Sequence, residues 1–405
     1  MKIGSIKMIK IAVLGFGVVG GGVCKLITDN YKEVTSLGGD GIEIKHILDL
    51  RDFPDSPFAD KIVHDFSVIE NDPEVSVVIE AMGGSHPAYE YTVAALKSGK
   101  SVVTSNKEVV AKFGEEFLAL AKENGVSYRF EAAVGGGIPV ISPVINCVCQ
   151  NKIGEIRGIL NGTTNYILTQ MFTYGQSFDA ALSDAQKKGY AEANPDADIL
   201  GTDACRKIAI LTALVTGKLI STELIHTEGI TNVRLADVKS LESIGATVKL
   251  VGRCIVGEGA PTVAVAPFVI KNGEPLSGVN GVYNAVEVMG DPLGNVMFYG
   301  QGAGAGATAS AVVGDLMQIM NSGINCKAPV FERSESIAPF ESFVCRHYLA
   351  FDKKEEVAVM KAFANATVIG AEECAIITEP MAEGKVWEKI NALGVKPLSH
   401  IRELN

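Results

Sequence analysis

The chain is predicted to be α/β: a doubly wound parallel sheet, then an α+β domain, then a small ferredoxin-like module of βαββαβ order. Three observations predict this. Strand-like and helix-like runs alternate from Met8 to about Val134, punctuated by Gly, Pro and Asn. Beyond Gly154 the order changes to one strand, three helices and then a series of β-rich runs. The stretch from Glu341 to Asn405 parses as strand, helix, strand, strand, helix, strand. The expected domain limits are 1–134, 135–338 and 339–405 of the 405 residues, a length that suits about two to three cores.

Taken in order, the residues through Lys7 precede the first apolar run and read as a loose tail. Met8–Leu14 is a buried strand, and after a glycine turn a helix runs from Val18 toward Tyr31. Ile42–Leu48 and Val75–Ala81 are β-branched strands, His86–Lys97 is helical, and Ser101–Thr104 is the next strand. The second domain opens with the strand Ile156–Leu160 and helices over Thr164–Tyr174, Phe178–Lys188 and Asp203–Thr216. Thr247–Val256, Pro261–Val269 and Val282–Val288 have strand composition, and Ala303–Met320 is a long small-residue helix able to return against the first domain. The C-terminal elements are Phe343–Phe351, Lys354–Ala364, Thr367–Gly370, Cys374–Thr378, Gly384–Leu393 and Val395–Arg402.

Composition narrows the function classes. With 36 basic against 47 acidic residues the net charge is −11 and no basic stripe is present, which argues against nucleic acid as a partner. Apolar runs such as Ile208–Val215 fall well short of the roughly 20 residues that span a bilayer, and no signal-peptide pattern opens the chain, so a cytoplasmic protein is expected. The eight cysteines lie mostly singly in apolar stretches, as reduced core residues do. Cys147 and Cys149 alone are close, with spacing that puts both on one face of a strand; a zinc site needs more ligands, and a structural role is expected.

Gly15-Phe16-Gly17-Val18-Val19-Gly20 leaves a strand and opens a helix, the context in which a glycine loop cradles a dinucleotide pyrophosphate. Gly15 permits the tight turn, Gly17 the approach of the pyrophosphate and Gly20 close packing of helix on strand. A turn packed for shape alone is the plainer alternative, but a whole βαβ series follows. Asp49 ends the second strand and suits ribose hydroxyls, whereas Arg51 suits a 2′-phosphate, so NAD and NADP both stay open. The interval from Gly15 to Asp49 also exceeds the usual ~20 residues of the fingerprint.

Ser105-Asn106-Lys107 follows a strand at its carboxyl end, where open α/β sheets place ligands, so Lys107 points to the crevice. Asp203 and Lys207 are four apart at the start of a helix that is apolar almost all round from Ile208 to Val215. A surface ion pair would explain the spacing, but a charged entrance on a buried helix fits a polar cleft better. Upstream, the segment from Gly189 to Asp198 reads as a loop with three carboxylates, Glu192, Asp196 and Asp198. Facing the lysines, these would give a site of both signs, as a zwitterionic amino acid needs. A carbonyl reduction would further use a cation where the alkoxide develops.

These segments resemble homoserine dehydrogenase. The resemblance rests on Glu80-Ala81-Met82-Gly83-Gly84, on Gly99 through Lys107, on Asn161-Gly162-Thr163-Thr164-Asn165-Tyr166-Ile167-Leu168 and on Gly189 through Lys207, in order over about residues 8 to 335. It implies a Rossmann-type domain, a substrate-binding and dimerisation domain, and NAD(P)-dependent interconversion of L-aspartate 4-semialdehyde and L-homoserine on the route to threonine and methionine. It further implies acid/base work for Lys207, a second catalytic cation in Lys107, homoserine held by Glu192 and Asp203, and support from Asp198. A monovalent cation, Na+ or K+, would sit on Glu131, Val134, Gly136 and Ile138, mostly through main-chain carbonyls. The glycine loop with Phe16, Val18 and Val19, together with Asp49, Arg51, Ser105, Lys107, Gly189, Gly302 and Gly304, would meet the cofactor. A homodimer or dimer of dimers is implied by the resemblance.

The C-terminal module is ACT-like in order, but where such regulatory modules carry Asp-x-Pro-Gly after the first strand this chain has Asp352-Lys353-Lys354-Glu355. A structural or dimer-supporting role is therefore expected in preference to threonine feedback. Two other readings compete: another amino-acid dehydrogenase of the same fold, and a non-catalytic nicotinamide sensor. Lys107, Lys207, Glu192 and Asp203 stand against the sensor, which has no use for a proton donor.

Overall fold

The structure, a computed structural model, describes residues 8–38, 41–322 and 328–404. The expected N-terminal tail lies outside the described residues. The chain forms two compact units, one made of the residues up to Gln150 with Ala213–Leu219 and Gln301–Arg333, the other of the remainder.

The first unit holds a six-stranded sheet: β1 (Met8–Leu14), β2 (Gly41–Leu48), β3 (Ile62–Val63), β4 (Val75–Glu80), β5 (Ser101–Thr104) and β6 (Tyr128–Arg129). Their order is β3-β2-β1-β4-β5-β6 and every pair is parallel. This is the doubly wound sheet expected from the alternation, and its strand order reverses direction between β1 and β4, the place where such sheets take ligands. The helices are α1 (Val18–Asp29), α2 (Tyr31–Gly38), α3 (Ser67–Glu70), α4 (Ala88–Lys97) and α5 (Lys107–Glu123). The first of them buries Gly20, Val23, Cys24 and Ile27, the i, i+3, i+4, i+7 spacing of an amphipathic helix. It stops at Asn30, which leaves the helical conformation, so what reads as one helix toward Tyr31 is α1 followed by α2. A further helix, Ala305–Ser322, adds Ala309, Val312, Val313 and Leu316 to a core containing Ile11, Val13, Val23 and Ile27.

Cys147 and Cys149 correct the sequence reading. They belong to no strand: Ile141–Pro143 is α-helical, Val144–Val148 is π-helical, and both thiols are exposed. The cause is the Glu131 carboxylate, which accepts the backbone N–H groups of Val140, Ile141 and Ser142, each at 2.7 Å, and so caps a helical start. Cys24, Cys205, Cys254, Cys345 and Cys374 are buried, as expected of small core residues.

In the second unit Lys152–Ile159 is antiparallel to both Tyr283–Asp291 and Ala246–Ile255. Beyond the latter, Thr262–Lys271 continues the sheet and pairs in parallel with Ser399–Glu403, Phe268 lying opposite Arg402. His347–Phe351, Cys374–Ile377 and Thr367–Val368 then follow, all antiparallel. The C-terminal βαββαβ stretch thus has spatial order 4-1-3-2, with helices Glu356–Ala362 and Glu383–Leu393, and its fourth strand joins it to the preceding sheet. In place of the missing Pro-Gly turn, the Asp352 carboxylate accepts the Lys354 N–H at 3.1 Å and closes a 3-10 turn over Lys353–Glu355. At the far edge Gly294–Gln301 forms a strand absent from the sequence reading, because its residues are exposed or only half-buried on both faces.

Candidate active site

In the first unit the glycine loop is built as its spacing requires. Gly15 has φ +90°, and a Cβ on Gly20 would lie 1.9 Å from the Gly15 oxygen, so neither position takes a side chain. Gly17 faces open space within 4 Å at the N-terminus of α1, leaving main chain accessible to an anion. The Phe16 N–H donates to Asp49 Oδ2 at 2.9 Å, which brings the end of β2 to the loop. Arg51 grips the same carboxylate with Nε and Nη2, both at 3.0 Å, and holds it well below the usual carboxylate range. Asp49 and Arg51 thus form one fork, and the guanidinium remains largely exposed.

At the carboxyl end of β5, Ser105 and Lys107 flank Asn106, whose side chain caps α5 by accepting from Glu108 N and Val109 N. Lys107 is the first residue of that helix, where the macrodipole disfavours a cation by about 0.3–1 kcal/mol. A cation kept at that end is placed for something other than helix stability. Beneath it, Glu80 is fully buried at the end of β4, and burial pushes its carboxyl up to about 7.

The segment from Glu131 to Ile138 lies against the start of the returning helix: Gly137 N–H donates to Gln301 O at 3.2 Å, and a Cβ on Gly136 would meet Gly302 at 2.5 Å. Gly304, at φ +120°, leads into that helix. The three N–H groups on the Glu131 carboxylate leave main-chain carbonyls as the loop's oxygen donors, a neutral hard set that fits a monovalent cation.

In the second unit Asn161 ends the turn before the helix Gly162–Tyr174 and caps it through Thr164 N. Its amide Nδ2 donates to Asp198 Oδ1 at 2.7 Å and to Asp203 Oδ2 at 2.9 Å. Lys207 Nζ donates to Asp203 Oδ2 and to Leu160 O, both at 2.7 Å. Asp198, Asp203 and Lys207 are therefore one network, with Asp203 and Lys207 buried at the head of the helix Thr202–Thr216. Burial and the Asp203 charge raise the Asp198 pKa, while the Asn161 hydrogen bond opposes them. The loop expected around Asp198 closes as one helical turn, Asp196–Ile199, whose carbonyls and amides bond locally. Glu192 is exposed, its main-chain oxygen accepting Gln186 Nε2 at 3.2 Å, and Gly189, also exposed, follows the preceding helix at φ +74°.

The sequence reading did not single out Asn161, Glu80, Thr104, Asn106 or Asp315 as site residues. Their signals were an Asn at each of two helix starts, Asn106 and Asn161, and a lone acid, Asp315, inside an otherwise uncharged helix. Among the described residues the one group with general metal-ligand spacing is His347, Glu383 and His400, but Arg402 occupies both Glu383 oxygens, at 2.7 and 3.1 Å, and its charge opposes a metal ion. No helix among the described residues is long and apolar enough to cross a membrane.

Residues 15–131 match the family model for the NAD binding domain of homoserine dehydrogenase, and residues 139–317 match the model for homoserine dehydrogenase itself. A homoserine dehydrogenase of Synechocystis is 40% identical over 357 residues, covering 86% of this chain and 81% of that protein. The chain belongs to the homoserine dehydrogenase family. A homoserine dehydrogenase structure from Thiobacillus denitrificans superposes with a TM-score of 0.91 at 32% identity, covering 99% of both chains. A hyperthermophilic archaeal homoserine dehydrogenase in complex with NADPH has a TM-score of 0.66 at 27% identity, covering 77% of this chain and 97% of that one. Family membership makes the chain an oxidoreductase acting on a CH–OH group with a nicotinamide-dinucleotide domain, which disposes of the sensor reading.

Proposed function

We propose that the chain interconverts L-homoserine and L-aspartate 4-semialdehyde with NAD or NADP, in the cytoplasm and as a homodimer or dimer of dimers. The observation that carries the chemistry is the Lys207 ammonium, buried and held by Asp203 and the Leu160 carbonyl at the point where the helix Thr202–Thr216 turns apolar. When bound, the nicotinamide supplies the hydride in one direction and accepts it in the other. As the aldehyde carbon gains a hydride, its π pair moves to oxygen, and Lys207 gives that oxygen a proton; in reverse Lys207 takes the hydroxyl proton. Lys107 stabilises the developing charge. Asp203, Asp198 and Glu192 supply the negative charge that recognises the substrate ammonium. Gly15, Phe16, Gly17, Val18, Val19, Gly20, Asp49, Arg51, Ser105, Lys107, Gly189, Gly302 and Gly304 form the cofactor-binding set. Glu131, Val134, Gly136 and Ile138, mostly through main-chain carbonyls, would hold Na+ or K+. The three expected domains are 1–134, 135–338 and 339–405; the first two share the cofactor and cation sets, and the last supports the assembly.

The test is nicotinamide absorbance during incubation with L-homoserine and NAD or NADP in parallel, with and without Na+ or K+. Reduction of either cofactor is expected. Cofactor binding without turnover of homoserine, but with turnover of a related amino acid, would replace the substrate assignment.

A further inference from the structure

We propose that Glu80 is a positioning residue that clamps together the loops following β4 and β5 and thereby sets the first turn of α5, on which Lys107 stands. The inference rests on the role proposed for Lys107. Its observation is a closed ring of hydrogen bonds. Glu80 Oε1 accepts the Met82 N–H at 2.8 Å, and Glu80 Oε2 accepts the Thr104 hydroxyl. The Thr104 oxygen in turn accepts the Asn106 N–H at 2.9 Å. Asn106 then donates from Nδ2 to Gly84 O at 2.7 Å, which returns the ring to the loop after β4, and its Oδ1 caps α5. Glu80, Thr104 and Asn106 are all buried, so water cannot replace a lost partner cheaply.

With Glu80 ionised, the ring has one polarity. Thr104 has one hydroxyl proton, which it gives to Glu80 Oε2, while its oxygen accepts the Asn106 N–H. A carboxylate accepts on both oxygens at once, meeting Met82 with one and Thr104 with the other. Glutamine keeps only one acceptor oxygen, so either the Met82 N–H or the Thr104 hydroxyl loses its acceptor. Glu80→Gln preserves volume and breaks the ring at Met82 or at Thr104, Thr104→Val preserves volume and removes the Thr104 link, and Thr104→Ser restores the hydroxyl.

The test compares these three variants with the wild-type protein in two measurements. In the first, steady-state turnover is set against cofactor dissociation constants. Glu80→Gln and Thr104→Val are expected to lower kcat by at least about tenfold with cofactor affinity within about threefold, while Thr104→Ser retains kcat within about threefold. In the second, amide hydrogen exchange is followed over 82–84 and 106–109, where the first two variants are expected to exchange at least about tenfold faster. Unchanged kcat and exchange in both variants, or a Thr104→Ser variant as impaired as Thr104→Val, would overturn the clamp. Equal losses in kcat and cofactor affinity would also overturn it, since they mark general disruption of the domain. Should the wild-type protein turn over no homoserine, the proposed activity fails, and the exchange measurement alone still decides the clamp. If Glu80→Gln does not fold, Thr104→Val carries both measurements.

Discussion

Asp315 gives the sharpest test of how this chain manages buried charge. It lies on the helix Ala305–Ser322 with 2% of its surface exposed, accepts the Glu131 N–H at 2.7 Å, and has Arg129 Nη1 at 3.8 Å. Burial, with the charge of Glu131 second, pushes its carboxyl up to about 7 from an ordinary value of 3.8. A difference of about 3 units corresponds to about 4 kcal/mol at 1.36 kcal/mol per unit. Because the folded pKa lies above the unfolded one, the folded state binds more protons between about pH 4 and 7, and stability falls as pH rises through that window. Asn at this position keeps the acceptor for Glu131 N and carries no charge, and the attraction to Arg129 that it forfeits is already contained in that difference. Asp315→Asn is therefore expected to stabilise the protein by up to about 4 kcal/mol at pH 8, a rise in Tm of up to roughly 5 °C, and to leave it unchanged or slightly destabilised at pH 4.5. Thermal melts of both proteins at the two pH values measure this. A shift of the same sign and size at both, or a loss at pH 8, would refute the assignment of an uncompensated buried carboxyl.

The proton-transfer role predicts that Lys207→Ala binds NAD or NADP with nearly wild-type affinity while turnover falls by about 100-fold or more; fluorescence titration and steady-state rates separate the two. Gly20→Ala forces a Cβ to within 1.9 Å of the Gly15 oxygen and should lower Tm and cofactor affinity together, whereas Gly17→Ala, with nothing within 4 Å, should spare Tm and weaken only the cofactor. Asn161→Ala strips the bridge from Asp198 and Asp203 and is expected to raise KM for homoserine by about tenfold with cofactor affinity intact. An unchanged KM would show that the two carboxylates do not hold the substrate.

Much of the first unit was legible in the chain because its signals are local. Met8–Leu14 and Ser101–Thr104 were read to the residue, and the glycine spacing announced a turn whose φ and close contacts the structure bears out. The i,i+4 spacing of Asp203 and Lys207 likewise needed only helix geometry, and the pair meets at 2.7 Å. The reading failed where a distant group intervened. Nothing near Cys147 and Cys149 shows that Glu131 caps their segment, so alternating apolar residues suggested a strand where main-chain N–H groups had found a carboxylate.

The sequence by itself determined the succession of elements, the anion-binding turn and the residue types of the candidate site, all of which follow from periodicities of two and 3.6 residues and from short spacings. Tertiary structure alone decided that Asn161 bridges Asp198 and Asp203, that Asp315 reaches back to Glu131, and that Ser399–Glu403 pairs with Thr262–Lys271. Each of these joins residues about 40 to 180 positions apart, and such pairings are set by which surfaces the packed core brings together, a property that no local pattern records.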